Sequence, residues 1–126
     1  MILIADDSKF MRHYLKNLLQ KQGFTRFVDA KNGEQAILLY RLLKPKITFL
    51  DITMPIIDGL SALKEIKELD PAATVIMCSS LSTLDNRTTA RAYGATGFIA
   101  KPNFHALPAI LEKIYEQQGV IQVEVF

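Results

Sequence analysis

Short apolar runs alternate with segments of helical spacing from residue 2 to residue 114 of this chain. The apolar runs lie at residues 2–5, 27–28 with their flanks, 47–50, 74–78 and 97–100. The helical segments, in which apolar side chains mostly recur every three or four positions, lie at residues 11–19, 36–43, 60–66, 84–93 and 107–114. Because strands that alternate with helices are typical of parallel sheets with right-handed crossovers, the pattern predicts an α/β fold.

The length of the chain and the apolarity of the runs predict one domain with three layers. The runs at 2–5, 47–50 and 74–78 are apolar almost throughout, which is typical of strands covered by helices on both faces. Five strands of about 5 residues, five helices of about 12 and loops of about 4 require roughly 125 residues. The chain has 126 residues, so we expect a single αβα domain around a five-stranded parallel sheet. The segment at 84–93 has the weakest apolar stripe, and we expect that helix to pack loosely or to face a partner.

Composition excludes several classes of function. The 15 Lys and Arg residues against 13 Asp and Glu leave a net charge of only +2, and the basic residues form no block, so direct nucleic-acid binding is not predicted. No apolar run approaches the roughly 20 residues of a membrane span, and the first five residues lack the basic lead-in of a signal peptide. We therefore expect a cytoplasmic protein without membrane insertion. The single cysteine, Cys78, follows apolar residues and is predicted to be a buried thiol.

Polar side chains follow four of the five predicted strands. They are Asp6 and Asp7 after the first strand, Asp51 after the third, Ser79 and Ser80 after the fourth, and Lys101 with Pro102 after the fifth. Sheets of this kind bind ligands beyond the carboxyl ends of their strands. Taken singly, such residues could cap helices, as Asp7 or Ser8 could for the first helix and Ser82 or Thr83 for the fourth. Taken together, three converging carboxylates would repel one another unless a cation lay among them.

The residue types at these strand ends favour magnesium and phosphoryl chemistry. Oxygen ligands without a His or Cys among them favour Mg²⁺ over zinc or copper. Carboxylates, a hydroxyl and a lysine are groups that handle a phosphoryl group. The chain contains no Gly-rich phosphate cradle of the GxGxxG or GxxxxGK[ST] type, so a nucleotide substrate is not predicted. The phosphoryl group would then be attached to the protein itself, with Asp51 as the acceptor.

Over residues 1–118 the chain resembles the receiver domain of two-component response regulators. The resemblance rests on four motifs, which are Asp6-Asp7, Asp51-Ile52-Thr53-Met54-Pro55-Ile56-Ile57-Asp58-Gly59, Ser79, and Lys101-Pro102. It implies a doubly wound, flavodoxin-like sheet with the strand order 2-1-3-4-5. Residues 119–126 lie beyond the resemblance and form a tail.

The resemblance implies a role for each of these residues. Asp51 would take a phosphoryl group from the phosphohistidine of a sensor histidine kinase. Asp6, Asp7, Asp51 and the backbone carbonyl of Thr53 would hold Mg²⁺, and Lys101 would neutralise charge on the phosphoryl oxygens. The chain would catalyse only its own phosphotransfer and autodephosphorylation, and would not be an enzyme that acts on other substrates.

Two further positions match the switch of this family. Ser79 resembles the hydroxyl that turns toward the new phosphoryl group, and Phe98 matches the aromatic residue whose exposure changes with it. The alternative for Phe98 is a packed strand aromatic. A downstream protein would then bind the fourth helix, the fifth strand and the fifth helix. The serines at 79–82 and the Lys-Pro-Asn sequence are also similar to receivers of chemotaxis methylesterases, which favours a chemotaxis pathway, although Asn103 stands where the family commonly has Phe.

Two other functions stay open beside the receiver interpretation. A magnesium-dependent phosphohydrolase that works through an aspartyl phosphate would usually carry a second Asp where this chain has Thr53. A receiver-like interaction module would not be phosphorylated at all. Because neither Thr53 nor Leu81 offers an acid or amide to orient water, we expect slow loss of the phosphoryl group from a phosphorylated receiver. His13 and His105 are expected to be ordinary surface or helix residues.

The C-terminal tail has the pattern of a strand. Within residues 120–126, Ile121, Val123 and Val125 alternate with Gln122 and Glu124, which is strand spacing. The tail is therefore a frayed end, a linker, or a strand that pairs with an edge in its own or a neighbouring chain, which leaves a homodimer open. Asp58-Gly59 is predicted to be a helix cap and turn.

Overall fold

The computed structural model describes residues 1–81 and 83–117 of the chain. The strands in these residues are β1 (Ile2–Ala5), β2 (Phe27–Ala30), β3 (Ile47–Asp51), β4 (Val75–Ser79) and β5 (Gly97–Ala100). The helices are α1 (Lys9–Lys21), α2 (Gly33–Leu43), α3 (Gly59–Leu69), α4 (Leu84–Ala92) and α5 (Leu107–Gln117). None of the helices in the described ranges is long and apolar enough to cross a membrane. The extra strand or linker predicted at residues 119–126 lies outside the described residues.

The five strands form one parallel sheet in the order β2-β1-β3-β4-β5. This confirms the predicted order and the doubly wound class. β1 lies between β2 and β3, so the chain leaves β1 in one direction to form β2 and then returns past it to form β3. The strand order therefore reverses beside β1, and the carboxyl ends of β1 and β3 border the crevice where sheets of this type bind ligands.

Helices cover both faces of the sheet, as the apolar strands predict. One face packs against α2, α3 and α4 through a buried cluster that includes Leu3 and Leu50. The other face packs against α1 and α5 through a cluster that includes Ile4 and Phe49. Because successive residues of a strand point to opposite faces, β1 and β3 contribute side chains to both clusters. The three-layer αβα architecture is thereby confirmed.

Side-chain caps set the points at which the chain turns from strand to helix. Ser8 Oγ accepts a hydrogen bond from the backbone N–H of Met11 at 3.2 Å and caps α1. Asp58 Oδ1 accepts one from the backbone N–H of Ser61 at 2.8 Å and caps α3, as predicted. Because Ser8 caps α1, the carboxylate of Asp7 is not used in this way and stays available to a ligand.

The ends of two strands differ by one residue from the predicted positions. β4 covers Val75–Ser79 instead of residues 74–78, and Asp51 closes β3 instead of following it. The parallel ladder extends to the polar residue in both strands, since Asp51 is aligned with Cys78 and Ser79 with Ala100. Backbone pairing determines where these strands end, and the polarity of a side chain does not show whether its backbone is paired.

Helix α4 has little buried surface, in agreement with its weak apolar stripe. It begins after Thr83, whose Oγ1 accepts a hydrogen bond from the backbone N–H of Asn86 at 3.2 Å. Ala90 is its buried residue, while Leu84 at its first turn is exposed. The helix therefore has weak side-chain anchorage to the sheet beneath it.

Candidate functional site

The register of the sheet brings the predicted strand-end residues to one edge. The ends of β1 and β3 are aligned, which places Asp6 beside Asp51. The ends of β4 and β5 are aligned as well, which places Lys101 one residue beyond the partner of Ser79. Residues that are up to 95 positions apart in the chain thus border one crevice.

Asp6, Asp7 and Asp51 form a cluster of three carboxylates. One carboxylate oxygen from each residue lies within 4.8 Å of the corresponding oxygens of the other two. Asp6 and Asp51 are buried, with 6% and 7% of their surface exposed, whereas Asp7 is exposed. Burying two like charges next to each other is unfavourable unless cations neutralise them. The cluster therefore requires positive charge.

Lys101 supplies one positive charge to this cluster. Its Nζ donates a hydrogen bond to Asp6 Oδ2 at 2.5 Å and lies 3.4 Å from Asp51 Oδ2. Burial alone lowers the pKa of Lys101, but the hydrogen bond to Asp6 and the charges of Asp51 and Asp6 outweigh that effect and raise the pKa. Lys101 is therefore protonated at neutral pH and can pair with a further anion. The peptide bond between Lys101 and Pro102 is cis.

The environment of Asp51 disfavours its charged form. Burial raises the pKa of Asp51, and the negative charge of Asp6 adds to the rise. The charge of Lys101 and a hydrogen bond from the backbone N–H of Thr53 lower the pKa without cancelling the rise. A cation bound beside Asp51 would therefore be favoured. The carbonyl of Thr53 stays a predicted metal ligand.

The donor set of this cluster fits Mg²⁺. Its side chains offer oxygen atoms only, and these oxygens lie within 4.8 Å of one another. Three carboxylates and one ammonium group leave two negative charges, which is the charge that one divalent cation balances. Hard oxygen ligands and carboxylates are what Mg²⁺ prefers in proteins.

Ser79 lies at the end of β4 and its side chain is engaged with its own loop. Its Oγ accepts a hydrogen bond from the backbone N–H of Leu81 at 2.9 Å. The carbonyl of Leu81 in turn accepts a hydrogen bond from the side-chain amide of Asn86 at 2.7 Å. The β4–α4 loop is thus connected to Ser79 at one end and to the first turn of α4 at the other.

Phe98 on β5 is half-buried and lies beneath a cation. The guanidinium carbon of Arg87 is 4.8 Å from the centre of the Phe98 ring. Beside this ring, a groove of about 460 Å³ runs between α4 and β5 and is lined in part by Leu84, Arg87 and Arg91. The groove combines apolar surface with two positive charges.

Gly59 has a second role that was not predicted from the sequence. A Cβ on this residue would lie 1.9 Å from the carbonyl oxygen of Asp51. The N–H of Gly59 donates to the carbonyl of Ile52 at 2.7 Å. Helix α3 therefore starts against the backbone that carries Asp51, and only glycine leaves room for that approach. The sequence signal was a glycine at the first helical position, after the cap.

Arg12 and Asp29 were also not predicted to belong to this region. Arg12 is buried on α1, and its guanidinium contacts both the carbonyl of Asp6 and the carboxylate of Asp29. The available signal was its spacing, since Arg12 falls on the same helical stripe as the buried Leu15 and Leu19. A charged residue on a buried stripe is unusual and points to a specific partner.

The histidines and the cysteine lie outside the chemistry of the cluster. His13 and His105 are exposed, as predicted. Cys78 is buried in β4, and burial raises its pKa to about 12. A thiol with such a pKa is not ionised at neutral pH and is a poor nucleophile.

The two residues after Pro102 differ in their burial. Asn103 is exposed, and its Oδ1 accepts a hydrogen bond from the backbone N–H of His105 at 3.2 Å. Phe104 is buried, and its ring centre lies 5.7 Å from that of Tyr14 on α1. The loop before α5 therefore packs on α1 through Phe104.

Comparisons with known proteins agree on one family. The family model described as the response regulator receiver domain matches residues 2–115. The chain is 46% identical over 101 residues to the chemotaxis protein CheY of Bacillus subtilis (strain 168), which covers 80% of this chain and 84% of that protein.

Solved structures give the same result. The chain is similar to a chain of the CheX-CheY-BeF3-Mg complex from Borrelia burgdorferi, with a TM-score of 0.85, 34% identity, and coverage of 90% of this chain and 87% of that one. It is also similar to the response regulator domain of Thermotoga maritima CheB, with a TM-score of 0.79, 37% identity, and coverage of 91% and 92%.

Proposed function

The chain belongs to the response regulator receiver domain family, and we propose that it is a phosphorylation-controlled switch with Asp51 as its phosphoacceptor. The observation that carries this proposal is the position of Asp51, whose carboxylate lies 3.4 Å from Lys101 Nζ and within the carboxylate cluster. An anionic nucleophile can approach an anionic phosphoryl group only where positive charge offsets the repulsion. Lys101 supplies part of that charge.

Phosphotransfer would form a bond between a carboxylate oxygen of Asp51 and phosphorus. The bond from phosphorus to the histidine nitrogen of the donor kinase would break, and that nitrogen would keep the electron pair. Mg²⁺ held by Asp6, Asp7, Asp51 and the carbonyl of Thr53 would offset charge on the phosphoryl oxygens. Lys101 would give up part of its contact with the carboxylates of Asp6 and Asp51 and would pair with a phosphoryl oxygen. The carboxylate is the nucleophile in its ionised form, so no general base is needed.

The switch would connect the new phosphoryl group to α4. The hydroxyl of Ser79 would donate to a phosphoryl oxygen, and the loop that contains Leu81 would move with it. Phe98 would change its exposure beneath Arg87, which lines the groove between α4 and β5. A downstream protein would read that change on the surface formed by α4, β5 and α5.

The family and its named relatives support a proposal for the cellular setting. We place the donor as a sensor histidine kinase and the pathway as chemotaxis, because the similar proteins include chemotaxis proteins CheY. We further propose a cytoplasmic location and no activity on substrates other than the chain's own phosphoryl group.

The experiment that tests this function is phosphorylation by a small donor. The whole chain is incubated with Mg²⁺ and acetyl phosphate, and its intact mass is measured. We expect a gain of one phosphoryl group that is absent in Asp51→Asn and is strongly reduced when EDTA replaces Mg²⁺. The matched control is Asp58→Asn, because Asn also caps a helix well and this residue lies at the end of the loop that follows Asp51, outside the carboxylate cluster.

Each outcome of this experiment is informative. A gain in Asp51→Asn that equals the gain in the wild type would place the acceptor elsewhere. No gain in the wild type at saturating donor would instead favour an interaction module that is not phosphorylated. Continuous release of inorganic phosphate at a high rate would favour the phosphohydrolase.

A further inference from the structure

Arg12 on α1 is a buried charged side chain whose contacts lead to the proposed metal site. Only 5% of its surface is exposed. Among the described residues, the other buried polar or charged side chains are Asp6, Thr48, Asp51 and Ser79. Three of those four border the crevice already described. Keeping an arginine buried is unfavourable unless its donors are well satisfied, so the contacts of Arg12 are informative.

The guanidinium of Arg12 makes two directed hydrogen bonds. Its Nη1 donates to the backbone carbonyl of Asp6 at 2.6 Å, and its Nε donates to Asp29 Oδ2 at 3.0 Å. Asp29 belongs to β2, and Asp6 follows β1, so one planar group joins α1 to β2 and to the end of β1. The N–H donors of a guanidinium lie in one rigid plane, so they fix where each acceptor must lie. A single ammonium group, whose donors rotate, cannot do this.

Asp29 holds Arg12 in this orientation. Its other carboxylate oxygen, Oδ1, pairs with Lys16 Nζ at 2.5 Å. Burial alone raises the pKa of Asp29, but the hydrogen bonds and charges of Lys16 and Arg12 outweigh that effect and lower the pKa. The carboxylate is therefore ionised at neutral pH, and its two oxygens are shared between two cations.

The carbonyl that Arg12 holds belongs to the peptide unit between Asp6 and Asp7. A peptide unit is planar, so fixing its oxygen also fixes the direction of the N–H and the Cα of Asp7. The side chain of Asp6 is held by other contacts, since its Oδ1 accepts from the backbone N–H of Ser8 at 2.9 Å and its Oδ2 accepts from Lys101. The carboxylate of Asp7 has no hydrogen bond or ion pair within residues 1–81 and 83–117. Its position depends on the backbone.

We propose that Arg12 is a positioning residue that orients the peptide unit between Asp6 and Asp7 and so places the carboxylate of Asp7 beside that of Asp6 to bind Mg²⁺. This inference rests on the proposed function, because it takes the carboxylate cluster to be a metal site. Residues that orient metal ligands typically change metal affinity 10- to 100-fold when they are removed. Arg12 would act on affinity through geometry, since it contacts the backbone and not a ligand oxygen.

Electrostatics and positioning predict opposite effects on Mg²⁺ affinity. Arg12 carries a positive charge near the site, and a nearby positive charge repels a divalent cation. Removing the charge would therefore strengthen Mg²⁺ binding if Arg12 had no positioning role. Losing the orientation of the peptide unit would weaken it. The sign of the change separates the two roles.

The test is titration of Mg²⁺ into the whole chain by isothermal calorimetry. We expect Arg12→Met to raise the Kd for Mg²⁺ about tenfold. Arg12→Lys keeps the charge but loses the planar arrangement of donors, and we expect it to raise the Kd severalfold. The matched control is Lys16→Met, which removes a charge from the same Asp29 without touching Asp6, and we expect its Kd to be unchanged or slightly lower. Melting temperatures in EDTA are measured for all variants, because a purely structural role would lower them without changing the Kd.

Equal or tighter Mg²⁺ binding by the Arg12 variants would overturn the inference. An equal loss of affinity in Lys16→Met would overturn it too, because that variant leaves the contact with Asp6 in place. If Arg12→Met does not fold, Arg12→Lys decides the question by itself. Failure of the proposed function has a different signature, since the wild-type chain would then keep no phosphoryl group from acetyl phosphate, whereas failure of this inference appears only in the Mg²⁺ affinities of the Arg12 variants.

Discussion

Ser79 Oγ accepts a hydrogen bond from the backbone N–H of Leu81 at 2.9 Å. In this arrangement the hydroxyl is an acceptor, so its own proton is available to donate to another group. The same contact holds the loop that leads into α4. A ligand that accepts this proton could turn the hydroxyl of Ser79 and so change its contact with the N–H of Leu81.

We therefore predict that Ser79→Ala uncouples α4 from the phosphoryl site. With Mg²⁺ and beryllofluoride as the phosphoryl mimic, the wild type should show a change in hydrogen–deuterium exchange across residues 83–98. The variant should lose at least half of that change, because it cannot donate to the mimic, and should still be phosphorylated by acetyl phosphate. Ser80→Ala, at the exposed neighbouring position, is the control. An undiminished response in Ser79→Ala would show that another group carries the coupling.

Gly59→Ala is predicted to damage the site through the backbone of Asp51. The added Cβ would lie 1.9 Å from the carbonyl oxygen of Asp51, and relieving that overlap must displace either β3 or α3. We expect the free energy of unfolding to fall by about 3 kcal/mol, and phosphorylation by acetyl phosphate to slow.

Gly97→Ala is the matched control for this prediction. Its Cβ would meet Ile110 Cγ2 at 3.5 Å, which is ordinary contact. We expect its free energy of unfolding, measured in urea, to stay within about 1 kcal/mol of the wild type. Similar losses in both variants would mean that glycine at position 59 is not required by the approach to Asp51.

Thr48→Val is predicted to stabilise the protein. The hydroxyl of Thr48 is buried in β3 and has no hydrogen-bond partner among the residues that the structure describes. Replacing it with a methyl group of similar shape removes an unsatisfied polar atom, so the free energy of unfolding should rise by about 1 kcal/mol. Thermal melting measures the change, with the exposed Thr25→Val as control. A lower melting temperature for Thr48→Val would mean that the hydroxyl has a partner in solution, such as a water molecule.

Tyr40→Phe is predicted to destabilise the protein in a pH-dependent way. Tyr40 on α2 donates its hydroxyl to Asp70 Oδ2 at 2.7 Å, and this hydrogen bond lowers the pKa of Asp70 below its ordinary value of 3.8. A carboxylate with a lowered pKa in the folded state contributes stability above its ordinary pKa, and that stability is lost as the pH falls through the folded pKa.

The stability difference between wild type and Tyr40→Phe should therefore be about 1 kcal/mol at neutral pH and should shrink as the pH falls below 3.8. Denaturant unfolding at a series of pH values measures it. Tyr93→Phe, at an exposed tyrosine, should show no such dependence. A difference that stays constant down to the acid limit would assign the effect of Tyr40 to packing alone.

The phosphoryl group on Asp51 is predicted to be long-lived. Water attacks an acyl phosphate fastest where an acid or amide orients it, and neither Thr53 nor Leu81 offers such a group. Both side chains are exposed, so Thr53→Asn should shorten the lifetime without harm to the fold. The decay of the phosphorylated mass after removal of donor measures it, with Thr88→Asn on α4 as control. A wild-type half-life of a few seconds, without a phosphatase, would contradict the prediction.

Much of the fold and of the carboxylate cluster follows from local pattern. The apolar run at 2–5 and the spacing of Leu15 and Leu19 identify β1 and α1, because the periods of burial differ between strands and helices. The polar residues that interrupt these patterns mark the strand ends, which is why Asp6 and Asp51 could be named before the structure was known. The strand order itself came from resemblance to the receiver family.

The sequence by itself determined the alternation of elements, the two covered faces of the sheet and the residue types at the strand ends, since these depend on neighbours a few positions apart. Only the tertiary structure decided the contact of Arg12 with the carbonyl of Asp6, the close approach of Gly59 to the backbone of Asp51, and the orientation of Ser79 toward Leu81. The physical reason is that such contacts depend on strand register, helix rotation and side-chain rotamer, and no local periodicity encodes the distances between elements.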